Sequence, residues 1–188
     1  MPDDTTVRTL DLLIRSARLK SLPRTGWLLR GVEAPECIAA HSHGVALIAL
    51  ILLDLVDEPL DRGRILAMAV LHDLPEAVMG DMPTPASRYL PEGAKQAAEA
   101  SIFLEMVEGT GSAESWEALW REYATAQTAE AKLVHDADQL DKFLQVMIYQ
   151  RSGHHDVAEF WTLMDTHPWS CRASRDLLSA IYERVTVC

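Results

Sequence analysis

Apolar positions along the chain recur every three to four residues, the spacing that lines one face of an α-helix, and no convincing period-two alternation marks a strand. Val7, Leu10, Ile14 and Ala17 predict a first helix, capped by Thr5 or Thr6 and ending near Leu19. Ser21–Glu36 interrupts the pattern with prolines, glycines and a tryptophan. It reads as an ordered loop in which Arg24 and Arg30 flank Trp27. Behind Pro35 a second helix is expected to about Asp57, and its line Cys37, His41, Val45, Ile48, Leu52 puts His41 on a core face. Asp61 caps a third, where Ile65, Ala69 and His72 at i, i+4 and i+7 turn His72 inward as well. Pro75, Gly80, Pro83 and Pro85 divide the next stretch into turns. Further helices are predicted over Glu92–Glu108, Ala113–Ala126, Thr128–Arg151, Val157–Met164 and Ser174–Val185. The longest, Thr128–Arg151, carries the stripe Leu133, Ala137, Leu140, Leu144 and Met147, with Asp138 at its border and Asp141 nearer its middle. Without internal repeats or low-complexity segments, the chain reads as all-α.

Composition narrows the function classes. A length of 188 residues suits one domain, and 48% hydrophobic with 24% charged residues is the balance of a folded globule. The net charge of −11, from 17 basic and 28 acidic residues, argues against partners held by bulk attraction: no polymeric nucleic acid and no membrane is expected. A small phosphorylated ligand held by one or two local cations remains compatible with it. Cys37, Cys171 and Cys188 form no CxxC pair and fit a reducing cytosol. The acidic N-terminus lacks the pattern of a signal peptide, and the longest uncharged apolar run, Gly44–Leu53, is too short to span a bilayer. The expected location is cytoplasmic.

Candidate chemistry concentrates in residues 67–85, AMAVLHDLPEAVMGDMPTP. An apolar helix runs into His72-Asp73, with Glu76 and Asp81 at the turns that follow. Burying such groups is costly without a partner, and a metal ion would be one. His41, His72, Asp73 and one carboxylate from the long helix make a mixed nitrogen–oxygen set suited to a divalent transition ion, and unlike the cysteine-rich sets of structural zinc. Adjacent helical residues diverge by about 100° around the axis. Both members of His72-Asp73 reach one ion only if the helix stops there, as Pro75 suggests. Spacing alone leaves Asp136, Asp138 and Asp141 open as the fourth ligand. Read singly, His41 and His72 are as readily satisfied core histidines, Asp81 a turn residue, Arg24 a solvated loop residue, Trp27 a core anchor, and Trp116 and Trp120 packing residues. His43 faces away from His41 on its helix and is left, with His135, His154, His155 and His167, as surface or structural.

Together these residues resemble a known family. His41, His72-Asp73 and Asp138 resemble the H…HD…D signature of the HD-domain metal-dependent phosphohydrolases. PRTGWLLRGV, the PE…AHS opening the second helix, HDLPEAVMGDMPTP and AEAKLVHDADQLD are similar, in the same order, to the HD-domain 5′-deoxynucleotidases, which hydrolyse deoxyribonucleoside 5′-monophosphates. The resemblance implies a single HD domain over residues 1–188, a helical bundle with its motif-bearing core at about 19–150 and C-terminal helices 155–186 packed on it. It implies His41, His72, Asp73 and Asp138 as ligands of one divalent ion (Mn, Co, Fe, Ni, Zn or Mg). Glu76 and Asp81 are implied as catalytic acids, and Arg24 and Trp27 as substrate-binding residues. Many members carry an acid before the first histidine; Ala40 here implies a missing hydrogen bond behind His41. A homodimer is expected, with the tryptophan-bearing helices 113–126 and 155–166 offering apolar surface. Other HD-type reactions, on a phosphodiester or pyrophosphate bond of a signalling nucleotide, and a non-catalytic nucleotide-sensing module are the alternatives.

Overall fold

The computed structural model describes residues 2–186, and among them ten α-helices carry the chain. They are α1 (Asp4–Ser16), α2 (Thr25–Leu28), α3 (Ile38–Leu55), α4 (Arg62–Leu71), α5 (Glu76–Met79), α6 (Thr84–Ser87), α7 (Ala94–Val107), α8 (Ala113–Thr125), α9 (Ala129–Arg151) and α10 (Arg172–Thr186). Two 3₁₀ segments, Ala17–Lys20 and His155–Thr166, connect them. The one β contact among the described residues is an isolated bridge between Pro23 and Cys37 that closes the base of the Ser21–Glu36 loop. Cys188 lies outside the described residues; Cys37 and Cys171 are half-buried free thiols.

The centre of the bundle is α3 laid against α4 and α9. Val45, Ala49 and Leu52 of α3, Ile65, Met68 and Ala69 of α4, and Leu133, Ala137 and Leu140 of α9 form one buried cluster, so the stripes read from periodicity do face one another. By length and composition α3 is apolar enough to cross a membrane. One face of it is used in this core, where Val45, Ala49 and Leu52 are fully enclosed, while Leu47, Ile51 and Leu55 on another face are exposed. Caps set the helix starts: Asp61 accepts from the backbone N–H groups of Gly63 and Arg64, and Thr128 from that of Ala131.

The first helix departs from expectation. Its cap is Asp3, which accepts from Thr6 N, in place of Thr5 or Thr6. Leu12, two residues from Leu10 and so about 200° round the helix from the predicted line, is the buried residue, whereas Leu10 is 55% and Ile14 61% exposed. Leu12 and Leu19 share the face that packs with Phe103, Met106 and Val107 of α7, and Arg15 pairs with Glu105 at 3.0 Å. That contact, unavailable to a periodicity argument, selects which of two apolar lines turns inward. The tryptophans expected to offer surface also turn inward: Trp120 is buried on Phe103, and Trp161 stacks on Phe143 with ring centroids 5.5 Å apart.

The C-terminal segments are held to α9 by a second buried acid. Asp136, fully enclosed, accepts from His167 Nε2 at 2.8 Å, from the Ser170 backbone N–H at 3.0 Å and from Ser170 Oγ at 2.8 Å. His167, anticipated as surface or structural, is structural.

Candidate metal centre

His41 sits in the first turn of α3, and His72 immediately follows α4, which ends at Leu71. The stop before Pro75 frees the backbone, so His72 and Asp73 turn toward one point: His72 Nε2 lies 3.1 Å from Asp73 Oδ2. Each imidazole is oriented from behind. His41 Nδ1–H donates to Asp141 Oδ2 at 2.7 Å, and His72 Nδ1–H donates to the Ala69 carbonyl at 2.9 Å. A carboxylate and a carbonyl only accept, so the neutral form of both rings presents an Nε2 lone pair forward. Both Nε2 atoms are buried without a hydrogen-bond partner, as is Glu76 Oε2.

What these lone pairs face is a set of further acceptors. Asp138 Oδ1 stands 3.2 Å and Asp73 Oδ2 3.6 Å from His41 Nε2. One ligand atom each from His41, His72 and Asp73 lies within 4.8 Å of the others, a spacing compatible with a shared ion at about 2.1 Å from each. Acceptors converging in a buried place repel unless a cation stands among them, and the donor set suits a divalent metal. His41, His72 and Asp73 thus fit such an ion, and Asp138 stands beside them, 3.2 Å from His41 Nε2. Electrostatics point the same way. Burial and the Arg24 charge pull the His41 pKa down, yet the Asp138 and Asp141 carboxylates outweigh them and raise it to about 10, so without an ion a proton on Nε2 stands where a cation would. Burial pushes Asp138 up, but His41, His72 and Lys142 hold it well below the carboxylate range. The cluster stabilises positive charge at its centre.

Glu76 opens α5 one turn beyond Asp73 and is 5% exposed. Burial first, then the Asp73 and Asp81 charges, push its pKa up to about 9. Asp81 follows Gly80, whose φ of 82° reverses the chain after α5. Its Oδ2 accepts from the Thr25 backbone N–H, and its carbonyl accepts from Thr25 Oγ1 at 3.0 Å. Asp81 therefore holds the start of α2, the turn from which Arg24 projects. Arg24 Nη1 is 3.5 Å from Asp73 Oδ2. Burial alone would lower its pKa, but Asp73, Asp138, Asp81 and Glu76 more than offset this and secure its charge. Trp27 is 2% exposed, donates from Nε1 to Glu36 Oε1 at 3.0 Å, and meets Tyr149 and Phe160 edge-on. It anchors the loop while one part of it reaches the site wall. Arg24, Trp27, His72, Asp73, Glu76, Asp81 and Asp138 line one cavity of about 690 Å³, which continues past Tyr123 and His135 and past Lys142, Glu159 and Phe160.

The sequence pattern of the HD domain matches residues 16–168. The chain belongs to the HD-domain family. Among its relatives, 5′-deoxynucleotidase hdd1 of Schizosaccharomyces pombe is 34% identical over 150 residues, 77% of this chain and 74% of the relative. Human 5′-deoxynucleotidase HDDC2 is 32% identical over 147 residues, 77% of this chain and 70% of the relative. The crystal structure of the PH0347 protein from Pyrococcus horikoshii OT3 superposes with a TM-score of 0.81 at 34% identity, covering 93% of this chain and 99% of that one.

In this HD domain the hydrogen bond expected to be missing behind His41 is present, supplied from another helix. Asp141, three residues beyond Asp138, takes the place that Ala40 leaves open. Gly44 makes room for it: a Cβ at that position would collide with the Asp141 carboxylate. Sequence spacing offered Asp141 as a possible ligand but gave no sign of this supporting role, which depends on how closely α3 and α9 approach. Tyr123 of α8 has no sequence signal for its place beside the site, and His135, expected to be surface or structural, packs on it. Their rings stack with centroids 4.2 Å apart, His135 Nε2–H donates to the Tyr123 carbonyl, and Tyr123 tilts against His72.

Proposed function

We propose that the protein is a metal-dependent phosphomonoesterase that hydrolyses deoxyribonucleoside 5′-monophosphates to deoxynucleoside and phosphate. The observation that carries this reading is the pair of buried, pre-oriented Nε2 lone pairs facing Asp73 and Asp138 at the floor of the cavity. At about 690 Å³ the cavity is within the range of small-molecule sites and suits a nucleotide. The names of hdd1 and HDDC2 supply the substrate class.

His41, His72, Asp73 and Asp138 would hold one divalent ion, drawn from Mn, Co, Fe, Ni, Zn and Mg. When bound, that ion supplies Lewis acidity toward a phosphate oxygen and lowers the pKa of a water. Arg24 clamps the phosphate with its fork of donors. Glu76, protonated at neutral pH because burial and two acidic neighbours disfavour its charge, holds a proton for the departing 5′ oxygen. Asp81 contributes by raising the Glu76 pKa and by fixing the α2 turn that aims Arg24. Trp27 braces that turn from behind.

The remaining expectations belong to this reading: one HD domain over residues 1–188, a cytoplasmic location, and no polymeric nucleic acid or membrane as partner. A homodimer is supported by the exposed apolar line Val7, Leu10, Leu13 and Ile14 on α1 in place of the tryptophan helices. To test the function, the protein is dialysed against chelator, Mn²⁺, Co²⁺ or Mg²⁺ is restored in turn, and phosphate release is followed from 5′-, 3′- and cyclic nucleotides. Release from 2′-deoxy 5′-monophosphates, abolished by chelation, is the expected result. Release from no monophosphate under any metal would overturn the reading.

A further inference from the structure

Five cationic side chains line the cavity: Arg24, Arg30, Arg88, Lys95 and Lys142. Three of them meet a carboxylate from the protein. Arg24 meets Asp73 at 3.5 Å, Lys95 meets Glu99 at 3.3 Å, and Arg30 pairs with Glu159. Arg88 lies over the exposed ring of Tyr89, 4.9 Å from its centroid. Lys142, like Arg88, has no carboxylate among the described residues within ion-pair distance, but it is half-buried where Arg88 is exposed; its Nζ donates to the neutral amide oxygen of Gln139 and lies 5.6 Å from the centroid of the Phe143 ring. It stands on α9 four residues after Asp138, so both side chains project from one face of the helix, a turn apart.

A partly desolvated ammonium whose hydrogen-bond partner is neutral is incompletely compensated by the protein, which costs free energy unless a ligand offsets it. Burial lowers the Lys142 pKa, Asp138, beyond ion-pair distance, opposes that, and the Arg24 charge lowers it further. Arg24 and Lys142 line the same cavity, and two cations there suit a dianion. A phosphate monoester carries close to two negative charges at neutral pH, its second pKa lying near 6, whereas a diester carries one.

We propose that Lys142 is a second phosphate-contacting cation, donating from Nζ to an oxygen of the 5′-monophosphate alongside Arg24 and favouring monoesters over diesters. This rests on the phosphomonoesterase reading above.

The test compares Lys142→Met and Lys142→Arg with wild type, all metal-loaded and matched in circular dichroism and metal content. Lys142→Gln stands in if the methionine variant does not fold. Inorganic phosphate binding is measured by titration calorimetry, and KM and kcat are measured on a deoxynucleoside 5′-monophosphate. For Lys142→Met, the phosphate Kd and the KM are expected to rise together by about 10- to 100-fold, as for loss of a charge-assisted hydrogen bond. Its kcat should change by less than about threefold, and Lys142→Arg should recover most of the phosphate binding. An unchanged phosphate Kd in Lys142→Met overturns the proposal, including the case where KM alone rises because the lysine reads sugar or base. A Lys142→Arg variant that binds phosphate as poorly as Lys142→Met overturns it too. If wild type hydrolyses no monophosphate, the function reading fails, and the calorimetric titration still decides the role of Lys142.

Discussion

Two aspartates two residues apart on α9 stand in opposite states. Asp136 has every neighbour it needs: His167 Nε2–H, the Ser170 N–H and hydroxyl, and the Ser174 hydroxyl all donate to it. Asp138 Oδ1 and Asp73 Oδ2 both face His41 Nε2, at 3.2 and 3.6 Å, two acceptors on one ring nitrogen. Asp136 is fully enclosed and Asp138 half-buried at the cavity wall, and both carboxylates are held in the charged form. The difference is who completes them. Asp136 is completed by the chain and so locks the C-terminal segments onto α9. Asp138 takes one long bond from the chain, Gln139 Nε2 to its Oδ2 at 3.3 Å, while its Oδ1 faces His41 Nε2 beside the cavity, where a ligand would complete the set.

The largest effect that separates the two regions is on catalysis. His72→Ala should reduce phosphate release by at least about 10³-fold, because the Lewis-acid contribution goes with the ion. Circular dichroism of the metal-free variant should match wild type. An active His72→Ala protein would erase the distinction.

Asp136→Ala should act the other way. Leaving His167 and both serines without their acceptor is expected to cost about 3 kcal/mol in urea unfolding, with kcat of the folded protein unchanged. A loss of kcat at unchanged stability would show that Asp136 serves the site instead.

Between these extremes lies Asp141, which touches the site only through His41. Asp141→Asn should weaken metal affinity by about 10- to 100-fold, read by competition with a chromogenic chelator. Gly44→Ala, by pushing on the same carboxylate, should move metal affinity in that direction and also lower stability by about 1–3 kcal/mol.

The smallest effect is on pH dependence. Burial raises the Asp136 pKa, but the His167 and serine hydrogen bonds outweigh it and leave it below the usual value. A carboxyl lowered in this way contributes stability that is complete above its unfolded pKa, about 3.9, and is lost as pH falls through the lower folded value. The difference in unfolding free energy between wild type and Asp136→Asn should therefore shrink below about pH 4. A difference that stays constant from pH 6 to pH 3 would remove the charge from this account.

Helical periodicity placed α3, α4 and α9 and turned His41 and His72 inward, because a 3.6-residue repeat reports directly which side chains share a buried face. The ordered motif blocks named the ligand set and Glu76, since chemistry that depends on residue type at fixed spacing is written locally. Periodicity misjudged α1, where two apolar lines compete and only contact with α7 decides between Leu12 and Leu10. It also could not tell three α9 aspartates apart. Their roles depend on partners 31 to 100 residues away in sequence: His167 for Asp136, His41 for Asp138 and Asp141. By itself, then, the sequence determined an all-α bundle and the inventory of a metal-dependent hydrolase, because helix faces and motif spacing are local properties. The tertiary structure alone decided which acids are satisfied by the chain and which await a ligand. Hydrogen-bond satisfaction is a sum over neighbours that only folding brings together.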